Sequence, residues 1–102
     1  MAAWHEVTAA RSQMKIFNSQ GHLAISKAMK KLRESAQYAD YAPGQTPEGV
    51  PGIVSAAEPS DAGGMRMYYF YPEDFPEIYE AKQKAQEVAE LAIRRLLSMV
   101  NS

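Results

Sequence analysis

The sequence of 102 residues contains no cysteine. It therefore cannot form a disulfide, supply a thiol nucleophile or build a thiolate metal site. It also lacks any run of about 18 apolar residues, so no membrane-spanning helix is expected. The N-terminus shows no basic cluster followed by an apolar run and a small-residue cleavage site, so no secretory signal is expected either.

Acidic side chains are scarce in the first third of the chain. Residues 1–35 hold six basic residues and only two acidic ones, whereas residues 36–102 hold five basic and ten acidic residues. The net charge of the whole chain is only −1. Such an asymmetry suits a contact between the basic end of one copy and the acidic end of another. A solvated surface of uneven sign is the more common explanation.

The composition is that of a globular protein, with 46% apolar and 23% charged residues. At this length a single domain covering residues 1–102, with a modest core, is expected.

The last quarter of the chain carries the clearest pattern. Its apolar residues recur at steps of three and four, which predicts an amphipathic helix over residues 74–100. Asp74 and Glu77 have the spacing of a capping box, and Pro76 is tolerated in a first turn. The apolar face consists of Ile78, Ala81, Ala85, Val88, Ala92, Leu96 and Met99.

Two further helices are predicted before it, over residues 1–20 and 22–41. Gly21 separates them, but one helix kinked at Gly21 is equally allowed, because a single glycine costs a helix only about 1 kcal/mol. Pro43 and Gly44 end the helical region.

Residues 42–64 are rich in proline and glycine, which predicts turns with a short strand at Ile53–Ala57. The run MRMYYFY predicts a second strand over residues 65–71. The expected fold class is therefore α+β, in the order α-α-β-β-α, with helices covering a short β-hairpin.

No constellation of residues indicates catalysis. Ser12 and Lys15 match an S-x-x-K spacing without the rest of that signature. His5 and His22 have no third ligand at a metal-site spacing. We expect no catalytic residues, no metal and no cofactor, and a protein that is not an enzyme.

A basic row on the second predicted helix gives one functional alternative. It consists of Lys27, Lys30, Lys31 and Arg33. With exposed Tyr68 or Phe70 stacking on bases, this row favours a small regulatory or nucleic-acid-binding protein. The net negative charge of the chain weighs against it.

The aromatic and methionine residues around the second strand give the other alternative. A domain of this size has difficulty burying both faces of that strand together with three helical stripes. Tyrosine and methionine are favoured where one protein surface covers another. We therefore expect a second chain, most simply another copy, to cover one face of this strand or the N-terminal helix that carries Trp4. The expected interface residues are Trp4, Met65, Met67, Tyr68, Tyr69, Phe70 and Tyr71.

The element order over residues 22–100 resembles that of small bacteriophage tail-completion or head–tail joining proteins. The resemblance rests on a basic helix ending in Tyr41-Ala-Pro43, a Gly/Pro turn, a hairpin and a closing helix after Phe75-Pro76. It implies ring assembly through head-to-tail contacts and a cytoplasmic or virion location. The leading expectation is a non-enzymatic protein-interaction or assembly module, forming homo-oligomers, with a structural role in a virus particle.

Overall fold

The computed structural model describes residues 2–101 and the side chains of residues 5–100. Five elements follow one another: α1 Ala2–Glu34, β1 Ala39–Tyr41, β2 Val54–Pro59, β3 Met65–Phe70 and α2 Pro76–Asn101. The α+β class is confirmed. The predicted two-stranded hairpin is wrong, because the sheet has three antiparallel strands in the order β1-β3-β2.

The N-terminal region is one helix, α1, which continues through Gly21 without a break. Of the two arrangements that the sequence left open, the structure therefore shows the single helix. Gly21 is half-buried, and a Cβ built on it would lie 3.8 Å from the Cβ of Ala81, an ordinary contact distance. The position thus has room for a side chain, and the glycine does not interrupt the helix.

The predicted extension of this helix to Tyr41 is wrong. The helix ends at Glu34, and Ala36 adopts a left-handed conformation with φ of 55°. The Gln37 amide then donates to the Leu32 carbonyl at 2.8 Å, and the Ala36 amide donates to the Arg33 carbonyl at 3.2 Å. These two bonds form a Schellman cap, a motif in which glycine usually holds the left-handed position.

The residues after this cap form β1, which the sequence reading missed. Ala39 pairs with Met67, and Tyr41 pairs with Met65. On the other side of β3, the register runs from Val54 opposite Phe70 to Pro59 opposite Met65. The strands at Val54–Pro59 and Met65–Phe70 thus lie within two residues of the predicted ranges.

The turn between β2 and β3 requires glycine at one position. Gly64 has φ of 80°, and a Cβ on it would overlap the carbonyl oxygen of Tyr41. The absence of a side chain therefore allows this turn to lie directly against the end of β1.

Helix α2 agrees closely with the prediction, with Pro76 at its first position, where a missing N–H has no helical partner anyway. Glu80 and Lys84 form an i,i+4 ion pair at 3.1 Å on this helix. No helix in the described part of the chain is long and apolar enough to cross a membrane.

The described chain divides into two compact units. The helical unit comprises residues 1–23 and 77–102, and the sheet unit comprises Ala24–Pro76. In the helical unit, the two helices run antiparallel, as the Glu6–Arg95 ion pair and the Gly21–Ala81 approach show. Its buried side chains are small or medium-sized: Val7, Ala10, Ile78, Ala81 and Ala92.

The sheet unit has a core of large side chains. Tyr68 and Phe70, at alternate positions of β3, are completely buried. Phe70 meets Phe75 edge to face at a centroid distance of 5.7 Å, and Tyr68 meets Tyr38 in the same way. Ala28 and Leu32 of α1 are also buried within this unit.

Candidate functional site

The strongest polar cluster in the sheet unit joins α1 to β2 and β3. The Arg33 guanidinium donates two hydrogen bonds to Glu58, Nε to Oε1 at 3.0 Å and Nη2 to Oε2 at 2.7 Å. The Tyr68 hydroxyl donates to the same carboxylate. A planar guanidinium matches a carboxylate in this forked geometry, so the cluster fixes the end of α1 against the sheet.

These contacts change the pKa values of Glu58 and Tyr68. The hydrogen bonds from Arg33 and Tyr68 lower the pKa of Glu58 from 4.5 to about 2. Burial and the bond to Glu58 raise the pKa of the Tyr68 hydroxyl. The cluster therefore holds a carboxylate in its charged form. This is the opposite of a general acid or base poised near neutral pH, so we interpret it as structural.

A groove of about 220 Å³ lies at the end of β3 that extends beyond β1. Four of the eight described residues that line it are aromatic, and one of the eight, Asp74, is charged. The lining residues are Leu32, Gln37, Tyr38, Ala39, Tyr69, Tyr71, Asp74 and Phe75. We call this feature the aromatic groove. The Schellman cap positions Tyr38, β3 positions Tyr69, and the turn before α2 positions Asp74 and Phe75.

Two rings of the aromatic groove already have a cation over them. The Arg66 guanidinium lies 4.7 Å from the centre of the Tyr38 ring, and Lys31 Nζ lies 5.7 Å from the centre of the Phe75 ring. Arg66 is also 3.6 Å from Asp40, too far for a hydrogen bond, and its buried Nε has no hydrogen-bond partner. The stacking on Tyr38 is therefore a main contact of this guanidinium.

The structure distributes the predicted interface residues between core and surface. Tyr68 and Phe70 are completely buried and Met67 is nearly so, so these three offer no surface to a second chain. Tyr69 is half-buried, and its hydroxyl donates to the Glu48 carbonyl at 2.7 Å. Met65 is also half-buried, and Tyr71 is 44% exposed. The side chain of Trp4 lies outside the described residues.

The predicted basic row is only partly available for binding. Lys27, Lys30 and Lys31 lie exposed on α1, but Arg33 is held by Glu58. Tyr68 and Phe70, the expected stacking residues, are in the core. The nucleic-acid prediction thus keeps three of its four basic residues and loses its stacking surface.

A large exposed apolar surface lies instead on the last three turns of α2. All of its members are at least 39% exposed, and Val100 is 81% exposed. We call this surface the C-terminal patch, and it consists of Leu91, Ile93, Leu96, Leu97, Met99 and Val100. Ile93, Leu96, Leu97 and Val100 lie within about a third of a turn of one another around the axis of α2, whereas Leu91 lies on nearly the opposite side. Isolated apolar residues on a surface are ordinary, but a group on one side of a helix is a candidate for contact with another surface.

The spacing within this patch forms a second seam on α2. Ile93, Leu96 and Val100, together with the half-buried Ala89, follow steps of four, three and four. This is the a/d spacing of a coiled coil, about a fifth of a turn away from the face that Ala81 and Ala92 bury. Arg94 and Arg95 lie off the seam, and Arg95 pairs with Glu6 at 3.0 Å.

Within the described part of the chain, no three histidine or carboxylate side chains lie close enough together to hold a metal ion. His5 and His22 are both exposed on α1.

No family model matches the chain, and no curated protein or solved structure shows significant similarity to it.

The sequence contained a signal for both surfaces. Ala89, Ile93 and Val100 are visible as an extension of the apolar face of α2, and that extension is wider than one neighbouring helix needs. For the aromatic groove, the signal was the concentration of aromatic residues from Tyr38 to Phe75. What the sequence did not reveal was which of those rings would face inward.

Proposed function

We propose that this protein is a non-enzymatic assembly module that pairs with a second copy of itself through the C-terminal patch. The observation that carries the proposal is the exposure of six large apolar side chains on three consecutive turns of α2. Covering such side chains is favourable by roughly 25 cal/mol for each Å² removed from water.

The seam is self-complementary in an antiparallel arrangement. If the two-fold axis of the pair passes between Arg94 and Arg95, Ile93 of one copy lies opposite Leu96 of the other. In the same arrangement, Ala89 lies opposite Val100. Antiparallel coiled coils bring a and d positions together in this way. Two helical units paired along this seam would form a four-helix bundle, a stable architecture for amphipathic helices.

The most specific form of the proposal is a structural role in a virus particle, at a head–tail junction or in a tail. Its support is the uneven distribution of charge along the chain and the closing helix after Phe75-Pro76. The other elements of the resemblance differ in the structure, because the basic helix ends at Glu34 and the hairpin has a third strand. Fold resemblance alone does not establish function, so copy number is the quantity to measure.

The first test is the molar mass in solution, by size-exclusion chromatography with light scattering and by sedimentation velocity, from low to high micromolar concentration. We expect a reversible dimer. Leu96→Glu should give a monomer with unchanged circular dichroism, because the seam cannot bury a carboxylate. Ser98→Glu places the same charge on the same helical turn but off the seam, and it should leave the dimer intact.

A cysteine test reports the geometry directly, since the chain has no thiol of its own. Mixing Ile93→Cys with Leu96→Cys should give a disulfide-linked dimer on mild oxidation, and mixing Ile93→Cys with Ser98→Cys should give much less. A wild-type protein that stays monomeric at high micromolar concentration would refute self-pairing. A ring of more than two copies that persists in Leu96→Glu would replace the helix pair with head-to-tail contacts.

A further inference from the structure

We propose that the aromatic groove of the sheet unit binds the cationic end of a lysine or arginine side chain presented by another protein. This inference concerns a different surface from the C-terminal patch and does not depend on self-pairing. It rests on the rings that line the groove, on the cations already stacked on two of them, and on the charge and volume of the site.

The lining of the groove is rich in aromatic rings. Tyr38, Tyr69, Tyr71 and Phe75 all contribute to a groove of about 220 Å³. Aromatic faces carry partial negative charge and attract ammonium and guanidinium groups within about 6 Å of the ring centre. Several rings around one small space form the type of cage that recognises alkylammonium groups.

Internal cations already lie over two of these rings. The Arg66 guanidinium is 4.7 Å from the centre of the Tyr38 ring and Lys31 Nζ is 5.7 Å from the centre of the Phe75 ring, both within the range in which an aromatic ring attracts a cation. The rings of Tyr69 and Tyr71 complete the lining, and Tyr71 is 44% exposed. An incoming cation can therefore reach an aromatic face from solvent.

The charge around the groove favours a cation. Among the described residues that line it, Asp74 is the charged one. The sheet unit as a whole, Ala24–Pro76, contains seven acidic and five basic residues, so its net charge is −2. The surroundings therefore attract a cation, in spite of Lys31 and Arg66 nearby, and they repel a carboxylate or phosphate.

The volume decides between a side chain and a whole ligand. Pockets for drug-sized molecules measure roughly 300–1,000 Å³, and this groove is smaller than that range. It accommodates the end of one long side chain, whose remainder would lie in solvent or against the partner's own surface. A basic residue projecting from a second protein fits these dimensions.

The test uses small probes and the full-length protein labelled with ¹⁵N. Nα-acetyl-lysine amide and Nα-acetyl-arginine amide are titrated while amide chemical shifts are followed. We expect saturable shifts confined to the groove residues, such as Gln37, Tyr71 and Asp74. Nα-acetyl-norleucine amide, which has a similar chain but no charge, should give no saturable shift.

Matched variants separate the two parts of the site. Tyr71→Leu should weaken lysine-amide binding by about twofold to thirtyfold, the range expected for loss of one cation–π contact, and Tyr71→Phe should retain it. Asp74→Asn should also weaken binding. Glu73→Gln removes the same charge one residue away, outside the groove lining, and should have the smaller effect.

Several results would overturn the proposal. Equal binding of the norleucine amide would show an apolar groove without cation selectivity. Equal effects of Asp74→Asn and Glu73→Gln would reduce the attraction to general surface charge. Tetramethylammonium binding far more tightly than either amide would assign the groove to a free quaternary ammonium ligand. None of these results bears on the oligomeric state, so self-pairing stands or fails separately.

Discussion

The two compact units differ in how completely they bury their large apolar side chains. The sheet unit buries its largest rings, Tyr68 and Phe70, completely. The helical unit buries mainly small residues, such as Ala10 and Ala81, where its two helices approach each other. Of the ten large apolar side chains that are exposed in the described part of the chain, eight belong to the helical unit and only Val50 and Tyr71 to the sheet unit.

This difference shows where the chain satisfies its own hydrophobic surface and where it does not. A three-stranded sheet with a helix, an aromatic turn and a loop around it can enclose large side chains. Two antiparallel helices can cover only one stripe of each other, so a helix with a wider apolar face leaves the remainder exposed. The exposed remainder is the reason why we propose self-pairing through α2 and not through β3.

The largest expected effect tests whether the sheet unit is a true core. Phe70→Ala should destabilise the protein by about 3–5 kcal/mol, because it removes a completely buried ring. Leu97→Ala, in the helical unit, should change the stability of the monomer by less than about 0.5 kcal/mol. Urea unfolding at a concentration where the chain is monomeric measures both. Similar losses for the two variants would remove the contrast between the units.

The next prediction compares two glycines, one in each unit. Gly64→Ala should destabilise by at least about 2 kcal/mol, because its φ is positive and its Cβ would overlap the Tyr41 carbonyl. Gly21→Ala should stabilise by about 0.5–1 kcal/mol, because the helix gains propensity and the Cβ finds an ordinary contact. Thermal unfolding followed by circular dichroism checks both signs. A loss of stability in Gly21→Ala would mean that the helices pack more tightly than 3.8 Å allows.

The smallest expected effect concerns the Arg33–Glu58 pair of the sheet unit. The folded-state pKa of Glu58, about 2, lies below its ordinary value of 4.5. Its contribution to stability is therefore fully present above about pH 4.5 and is lost as the pH falls toward 2. Glu58→Gln should lower the melting temperature by about 2–5 °C at pH 7, and the difference from wild type should disappear near pH 2. A difference that stays constant over this pH range would assign the effect to packing.

The sequence predicted the helices of this fold better than the sheet. Periodicity identified α2 almost residue by residue, because a helical stripe is a local pattern. It also carried the predicted helix past Ser35 to Tyr41, since Ala36 gives no glycine signal for a helix end. Strand β1 has only three residues, and its partners Met65 and Met67 lie more than twenty residues away, so local propensity could not reveal it.

The prediction of an interface was less specific than the structure requires. The sequence showed more apolar and aromatic surface than a small chain readily buries, but the interface was predicted on β3 or on the N-terminal helix around Trp4. Strand alternation put Tyr68 and Phe70 on one face without showing that α1 and Phe75 would enclose that face. In the structure, the exposed apolar side chains are instead those of Ile93, Leu96 and their neighbours. The nucleic-acid alternative stays a prediction, and binding that weakens steeply with added salt would support it.

Ala36 holds the left-handed position of the cap at the end of α1, where glycine is the usual residue. Glycine at this left-handed position would relax the backbone but would also let it sample many other conformations. Alanine is modestly strained at this φ, and it allows the backbone far fewer conformations at the end of α1. Tyr38, two residues further on, lines the groove, so a restricted backbone here would hold its ring in place for the proposed ligand. Such a restricted backbone would lower the entropic cost of binding at the groove.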